Sequence, residues 1–311
     1  MAFSDNIFVF NIFHFKIMKK TILVFLIIFC FSCKNEKHKQ DETIQVEKIR
    51  PSVLLETLKY TPGNKPMISV HRGGKGLKYY PENCLETLKY INDSIKAIFE
   101  VDVAQTKDSI LVLMHDNTLD RTTTGEGNIS NFTFKELQTF NLEDDFGNQT
   151  KFKIPLFKDV LEWAKANAVV LTIDIKRSVA VEDVVQSIRA VEAEDVSVII
   201  TYDLIQAERA NAIAPELLLS VSARNNKEFE WLLHSGIPTE NMIAFTGTRL
   251  SPDSLYTKIH SYGIKTMLGT LGNLDKRAET RGDSLYNVWV KKGIDVIATD
   301  RPFAVAKAIN E

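Results

Sequence analysis

The chain has 311 residues, 44% of them hydrophobic and 25% charged, which is enough apolar material for one large domain or two small ones. Its 38 Lys and Arg against 40 Asp and Glu leave a formal net charge of −2. The basic surplus that marks a nucleic-acid binder is therefore missing.

The chain opens on a targeting segment rather than on a fold. MKKTILVFLIIFCFSC, Met18 to Cys33, has Lys19 and Lys20, an apolar run over Ile22–Phe31, and a small residue before a cysteine. The run is shorter than the roughly 20 apolar residues of a membrane span. Phe31-Ser32-Cys33 followed by a polar stretch resembles a bacterial lipoprotein lipobox, with Cys30 where an aliphatic residue is usual. That resemblance implies lipidation at Cys33 and an exported protein, membrane-anchored in a bacterial envelope. Residues 1–17 are read as an upstream extension, 34–60 as a flexible tether and 61–311 as the folded domain. Of the three cysteines only Cys84 lies in that domain, so no internal disulfide is expected and Cys84 is read as a structural thiol.

From about Lys65 onward, short β-branched runs alternate with amphipathic segments. The predicted strands are 67–71, 97–103, 110–115, 169–176, 196–202, 217–223, 242–246, 265–271 and 295–300. Between most of them lie helical patterns such as CLETLKYINDSIK and LFKDVLEWAKAN. This alternation means βα units on a parallel sheet, and the number of units predicts a closed (β/α)8 barrel of the TIM type. An open doubly wound sheet is the alternative, weakened because no GxGxxG turn opens the first unit. Val103 and Ile110 are too close for a crossover helix, so 97–103 and 110–115 are predicted to form a hairpin, making the barrel irregular there. Residues 117–153, rich in Gly, Asn, Thr and acidic side chains, read as a loop-rich insertion over the active-site mouth.

Barrel sites sit at the C-terminal ends of the strands. Those ends carry His71-Arg72, Glu100-Val101-Asp102, His115-Asp116, Asp174-Ile175-Lys176 and Thr299-Asp300-Arg301. Strand periodicity puts Glu100 and Asp102 on one face, and Asp174 and Lys176 on one face. Converging carboxylates need a cation, and all-oxygen ligation suits Mg²⁺ or Ca²⁺. Salt bridges of the acids to Arg72 or Lys176 are the structural alternative. Of six histidines only His71 and His115 end strands, and such a pair suits proton transfer near neutral pH. His234 and His260, near helix ends, read as structural. Arg72 and Lys176 suit an anionic substrate, phosphate first, with Gly73 and Gly74 letting the backbone approach it.

HRG at 71–73, PEN at 81–83, EVDV at 100–103, HD at 115–116, LDRTTTGEG at 119–127, IPLF at 154–157, DIK at 174–176 and ATDRP at 298–302 resemble, in order, the glycerophosphodiester phosphodiesterase family. The resemblance covers about residues 66–306. It implies a TIM-type barrel that hydrolyses glycerophosphodiesters to sn-glycerol 3-phosphate and an alcohol with a divalent cation. Carried over, His71 and His115 are catalytic, Glu100, Asp102 and Asp174 hold the metal, and Arg72 and Lys176 bind phosphate. Glu82, Asn83 and Asp300 are expected to support the site from behind, Glu82 and Asn83 having a helix-start role as the alternative. Two departures stand out: the family's third metal carboxylate is commonly Glu rather than Asp174, and MLGTLGN at 267–273 lacks the aromatic usual near the seventh strand. An enzyme of the same superfamily acting on intact or lyso-phospholipids, and an inactive barrel serving as a surface binding protein, are the rival readings.

Overall fold

The computed structural model describes residues 50–310. The signal segment, Cys33 and most of the expected tether lie outside the described residues. Among the described residues nine strands form: β1 (Met67–Val70), β2 (Ile98–Gln105), β3 (Leu111–Leu113), β4 (Leu171–Ile175), β5 (Ser197–Ile200), β6 (Leu218–Ser222), β7 (Met242–Phe245), β8 (Lys265–Gly269) and β9 (Val296–Thr299). Eight of them close a parallel barrel with β1 between β9 and β2. The predicted hairpin is present: β3 runs antiparallel to β2, pairing Val103 with Leu113 above the end of β1. β2 is long enough to pair with β1 at Ile98 and Phe99 and with β3 from Val103 onward on the same edge.

The strands use their two faces differently, as period two requires. Val70, Phe99, Val101, Val103 and Ile173 point outward and bury against the surrounding helices, in one continuous core with Phe157, Tyr286 and Trp289. At about 1.5–3 kcal/mol for each fully buried large apolar side chain, this layer is the main stabilising element of the barrel. The inner face carries Ile98, Val198, Leu218, Ile243, Met267 and Val296. Above them the same inner rows turn polar, through Ser69, Glu100, Asp102, Thr172 and Asp174.

Residues 50–60, expected to belong to the tether, instead pack on the barrel. Leu54 and Leu58, 4% and 6% exposed, join the inner core. The Ser52 N–H donates to the Glu216 carbonyl at 2.9 Å, and Tyr60 stacks on His260 with ring centroids 3.7 Å apart. Apolar side chains that reach the barrel floor supply what the polar composition of the tether hid. The insertion is likewise more built than a loop: Leu119, Ile129, Leu137 and Leu142 share a small core with Cys84, Val112, Met114 and Ile154. A capping box of Thr133 and Glu136 starts its α-helical turn, Phe134–Leu137.

Candidate active site

The end of β1 sets the geometry of one side. His71–Gly73 is a single tight turn in which Arg72 adopts φ 51° and ψ 33°, a left-handed conformation that non-glycine residues take at a cost. Gly73 and Gly74 have a packing role. A Cβ on Gly73 would meet Leu88 Cδ1 at 2.4 Å, and one on Gly74 would meet Ile91 and Thr87 at 2.6 Å. The glycines thus let helix Leu85–Asn92 close against the turn. The Arg72 N–H, displayed by that turn, donates to Glu100 Oε2 at 2.7 Å.

His71 and His115 both face one cavity of about 270 Å³, together with Glu100, Asp102 and Asp174. The His71 Nδ1–H donates to Asp300 Oδ1 at 2.7 Å, which leaves Nε2 for the cavity. Asp300 is in turn fixed by its own N–H on Asp275 Oδ2, 2.9 Å. His115 Nδ1 lies 2.6 Å from Asp116 Oδ1, and its Nε2 lies 2.6 Å from Arg72 Nη2. A guanidinium can only donate, so Nε2 is the acceptor and the ring proton sits on Nδ1. Each histidine therefore has an aspartate behind it, the arrangement that orients an imidazole for proton transfer.

The carboxylates stand on the inner rows of β2 and β4. Parallel register sets Asp102 directly beside Asp174, and Glu100 beside Thr172. Oxygens of Glu100, Asp102 and Asp174 all lie within 4.8 Å of one another. Lys176 Nζ answers this negative charge, 2.5 Å from Asp102 Oδ1 and 2.8 Å from Asp174 Oδ2. Burial, then the neighbouring Asp102, push the Glu100 carboxyl well above its usual range. Burial also opposes charge on Asp102, but Lys176 and Asn83 outweigh it and hold that group below the usual range. Three converging carboxylates without nitrogen or sulfur donors fit a hard divalent cation of the Mg²⁺ or Ca²⁺ kind.

Both polar residues of PEN reach the site. Asn83 grips Asp102 twice, Nδ2 donating to Oδ2 at 2.7 Å and Oδ1 accepting from the Asp102 N–H at 2.9 Å. Glu82, 3% exposed, accepts from Arg72 Nη1 at 3.0 Å and from Arg121 Nη2 at 2.6 Å. Neither caps the following helix, whose first turn has no side-chain cap. Arg121 then reaches Asp116 Oδ2 at 2.6 Å, closing a chain from Arg72 through Glu82 and Arg121 to the partner of His115. Arg121, Asp116 and Asp275 had no role in the sequence reading. Arg121 and Asp116 lie inside the quoted motifs, and their charge alternation beside His115 was the available signal; nothing local marks Asp275.

Other expectations resolve plainly. Cys84 is fully buried, and burial drives its thiol up to about 12, so it is inert at neutral pH. His234 donates from Nδ1 to the Glu230 carbonyl at its helix end. His260 pairs with Asp295 at 2.8 Å rather than with a helix terminus. The wall that lacks an aromatic on β8 carries Phe245 from the adjacent β7 beside Met267 and Leu271. The Tyr202 hydroxyl, beyond the end of β5, faces Asp174.

Comparison with known proteins follows the same residues. The model of the glycerophosphoryl diester phosphodiesterase family matches residues 71–216. A glycerophosphodiester phosphodiesterase of Caldanaerobacter subterraneus is 29% identical over 165 residues, spanning 50% of this chain and 66% of that relative, just under two thirds of its length. The structure of an Oleispira antarctica phosphodiesterase in complex with the product sn-glycerol-3-phosphate, 22% identical, shares the fold, with a TM-score of 0.64 over 79% of this chain and 98% of that one. The crystal structure of a glycerophosphoryl diester phosphodiesterase from Parabacteroides distasonis is 32% identical, with a TM-score of 0.76 over 84% of this chain and 93% of that one. On that identity and coverage, with the motif residues gathered at one barrel mouth, the chain belongs to the glycerophosphoryl diester phosphodiesterase family, whose members are phosphoric diester hydrolases.

Proposed function

We propose that the chain hydrolyses glycerophosphodiesters to sn-glycerol 3-phosphate and an alcohol, with a divalent cation held by Glu100, Asp102 and Asp174. The observation that carries this reading is the meeting, on one cavity, of two aspartate-backed histidines and the carboxylate cluster, with the Arg72 guanidinium on His115 Nε2. The product is the one held by the Oleispira antarctica phosphodiesterase. A bound cation would supply positive charge to the phosphate oxygens and acidity to a nearby hydroxyl or water.

The chain's own groups divide the remaining work. Arg72 blocks the lone pair of His115 Nε2 in the free protein. A phosphate competing for that guanidinium frees Nε2 to take or hold a proton. His71, fixed through Nδ1 by Asp300, presents its other nitrogen to the same cavity, so one ring serves as base and the other as acid. Lys176, which otherwise neutralises Asp102 and Asp174, becomes available to phosphate once those carboxylates hold an ion. Incubation with glycerophosphocholine, with enzymatic detection of sn-glycerol 3-phosphate, tests the reading. Product is expected with Mg²⁺ or Ca²⁺ and not with EDTA. An intact diester under both cations rejects the hydrolysis, and turnover indifferent to chelation rejects the metal. We also propose that Cys33 is lipidated and anchors the protein in a bacterial envelope. The Met18–Cys33 pattern supports this, and labelling with a fatty-acid probe that survives Cys33→Ala rules it out.

A further inference from the structure

Behind His71 and its partner Asp300 stands a third group, which does not itself line the catalytic cavity. Asp275 lies in the first turn of helix Asn273–Arg281 and is 3% exposed. Its N–H donates to the Thr270 carbonyl at 2.7 Å, and the Thr270 N–H donates to the Ala298 carbonyl at 2.7 Å, which draws the start of that helix against β9. The Asp275 carboxylate accepts from three donors at once. Tyr286 Oη reaches Oδ1 at 2.8 Å, the Thr299 hydroxyl reaches Oδ1 at 2.9 Å, and the Asp300 N–H reaches Oδ2 at 2.9 Å. All three donors are neutral, and burying a carboxylate on neutral donors is costly. Pinning a helix to a strand does not require that charge. What the carboxylate supplies is two acceptor oxygens and no donor, whereas an amide would turn N–H groups on one of the three. The Thr299 hydroxyl accepts in turn from the Arg301 N–H at 2.9 Å, so Asp275 holds the chain over three successive residues, 299–301. Among the described residues the Asp300 side chain makes one hydrogen bond, to His71. Its aim therefore depends on the backbone beneath it, and Asp275 holds that backbone.

We propose that Asp275 is a positioning residue for the hydrolysis. Through the Asp300 backbone it aims the Asp300 carboxylate at His71 Nδ1, and so fixes the nitrogen that His71 presents to the phosphodiester. The inference rests on the phosphodiesterase reading above and adds to it a residue that touches no reacting atom. The competing role is a pin between helix and strand, which acts on stability alone.

A double-mutant cycle separates the two roles. Asp275→Asn, Asp300→Ala and the double variant are assayed on glycerophosphocholine, with rates corrected for the folded fraction from urea unfolding. In Asp275→Asn we expect kcat to fall by about 10–100-fold, the scale for a displaced group near the chemistry, with KM within about twofold of wild type. In the Asp300→Ala background, where the arm to His71 is already gone, the same substitution should change kcat by less than about twofold. Losses that multiply in the double variant overturn the proposal and leave Asp275 as a pin. So does wild-type kcat in Asp275→Asn. Where Asp275→Asn does not fold, Tyr286→Phe removes one donor from Oδ1 and is read through the same cycle. A smaller loss of kcat that vanishes beside Asp300→Ala supports the proposal, and no loss, or a loss that persists there, overturns it. A wild-type protein that leaves glycerophosphocholine intact removes the phosphodiesterase reading itself, an outcome distinct from failure of the cycle.

Discussion

The two walls of the catalytic cavity are held by opposite means. On one, Glu100, Asp102 and Asp174 stand on adjacent parallel strands, and register alone sets Asp102 beside Asp174. On the other, Arg72 and His115 stand beyond strand ends and depend on Glu82, Asp116 and Arg121 for their positions. Backbone hydrogen bonds fix the first wall whatever its side chains are. Side chains fix the second, so losing one of them there alters geometry and stability together.

The largest effect belongs to the strand wall and should be almost purely chemical. In Asp102→Asn we expect kcat/KM for glycerophosphocholine to fall by about 10²–10³-fold, the scale for removing one electrostatic contributor from a site. Lys176 keeps Asp174, the strand pairing is untouched, and removing one of three converging carboxylates relieves the repulsion on Glu100, which offsets the weakened bonds to Lys176 and Asn83, so the urea midpoint should stay near wild type. A large loss of stability would mean that this wall also depends on its side chains. Glu82→Gln probes the other wall. It leaves two guanidiniums without their shared, nearly fully buried carboxylate. Loss of one partner of a buried pair costs about 3–5 kcal/mol, and Arg121, 39% exposed, recovers part of that from water, so about 2–4 kcal/mol is expected from urea unfolding. Turnover should fall as well, because Arg72 loses its anchor. A Glu82→Gln protein of wild-type stability would break the comparison.

Asn83 belongs to both walls, since it comes from the loop and grips the strand at Asp102. Asn83→Ala removes both of its bonds to Asp102 and should lower cation affinity by about 10–100-fold, the usual effect of losing a group that orients a metal ligand. Titrating activity against Mg²⁺ or Ca²⁺ measures this. An unchanged midpoint at reduced maximal rate would place Asn83 with the loop wall alone.

The same division explains what could be read from the sequence. Period-two alternation marks Glu100 with Asp102, and Asp174 with Lys176, because strand geometry is local and each apolar run announces its own inner face. The hairpin over β2 and β3 was legible from chain length alone, since no crossover helix fits between Val103 and Ile110. The lattice around Arg72 was not. Glu82 meets Arg121 across 39 positions, and His71 meets Asp300 across 229. No spacing rule links residues that only the closure of the barrel brings together. The packing role of the glycines after Arg72 was hidden for a related reason: they lie against Leu88 and Ile91 of the next helix, and sequence shows the permissive backbone but not its neighbour.

The smallest effect separates charge from packing on the loop wall. Burial disfavours the Asp116 carboxylate, but its bonds to Arg121 and His115 outweigh that and bring it down to about 2. In an unfolded chain the same group titrates near 3.9, about the model-peptide value. A carboxylate depressed on folding contributes stability that is fully present above its unfolded value and is lost as pH falls through the folded one. Asp116→Asn should therefore be less stable than wild type at neutral pH, by about 1 kcal/mol once screening at this partly exposed site is allowed for. The gap should close between about pH 4 and about pH 2. Urea unfolding of both proteins across that range measures it. A gap that persists unchanged at the acid end would assign Asp116 to packing, and the loop wall would then owe less to its ion pairs than its geometry indicates.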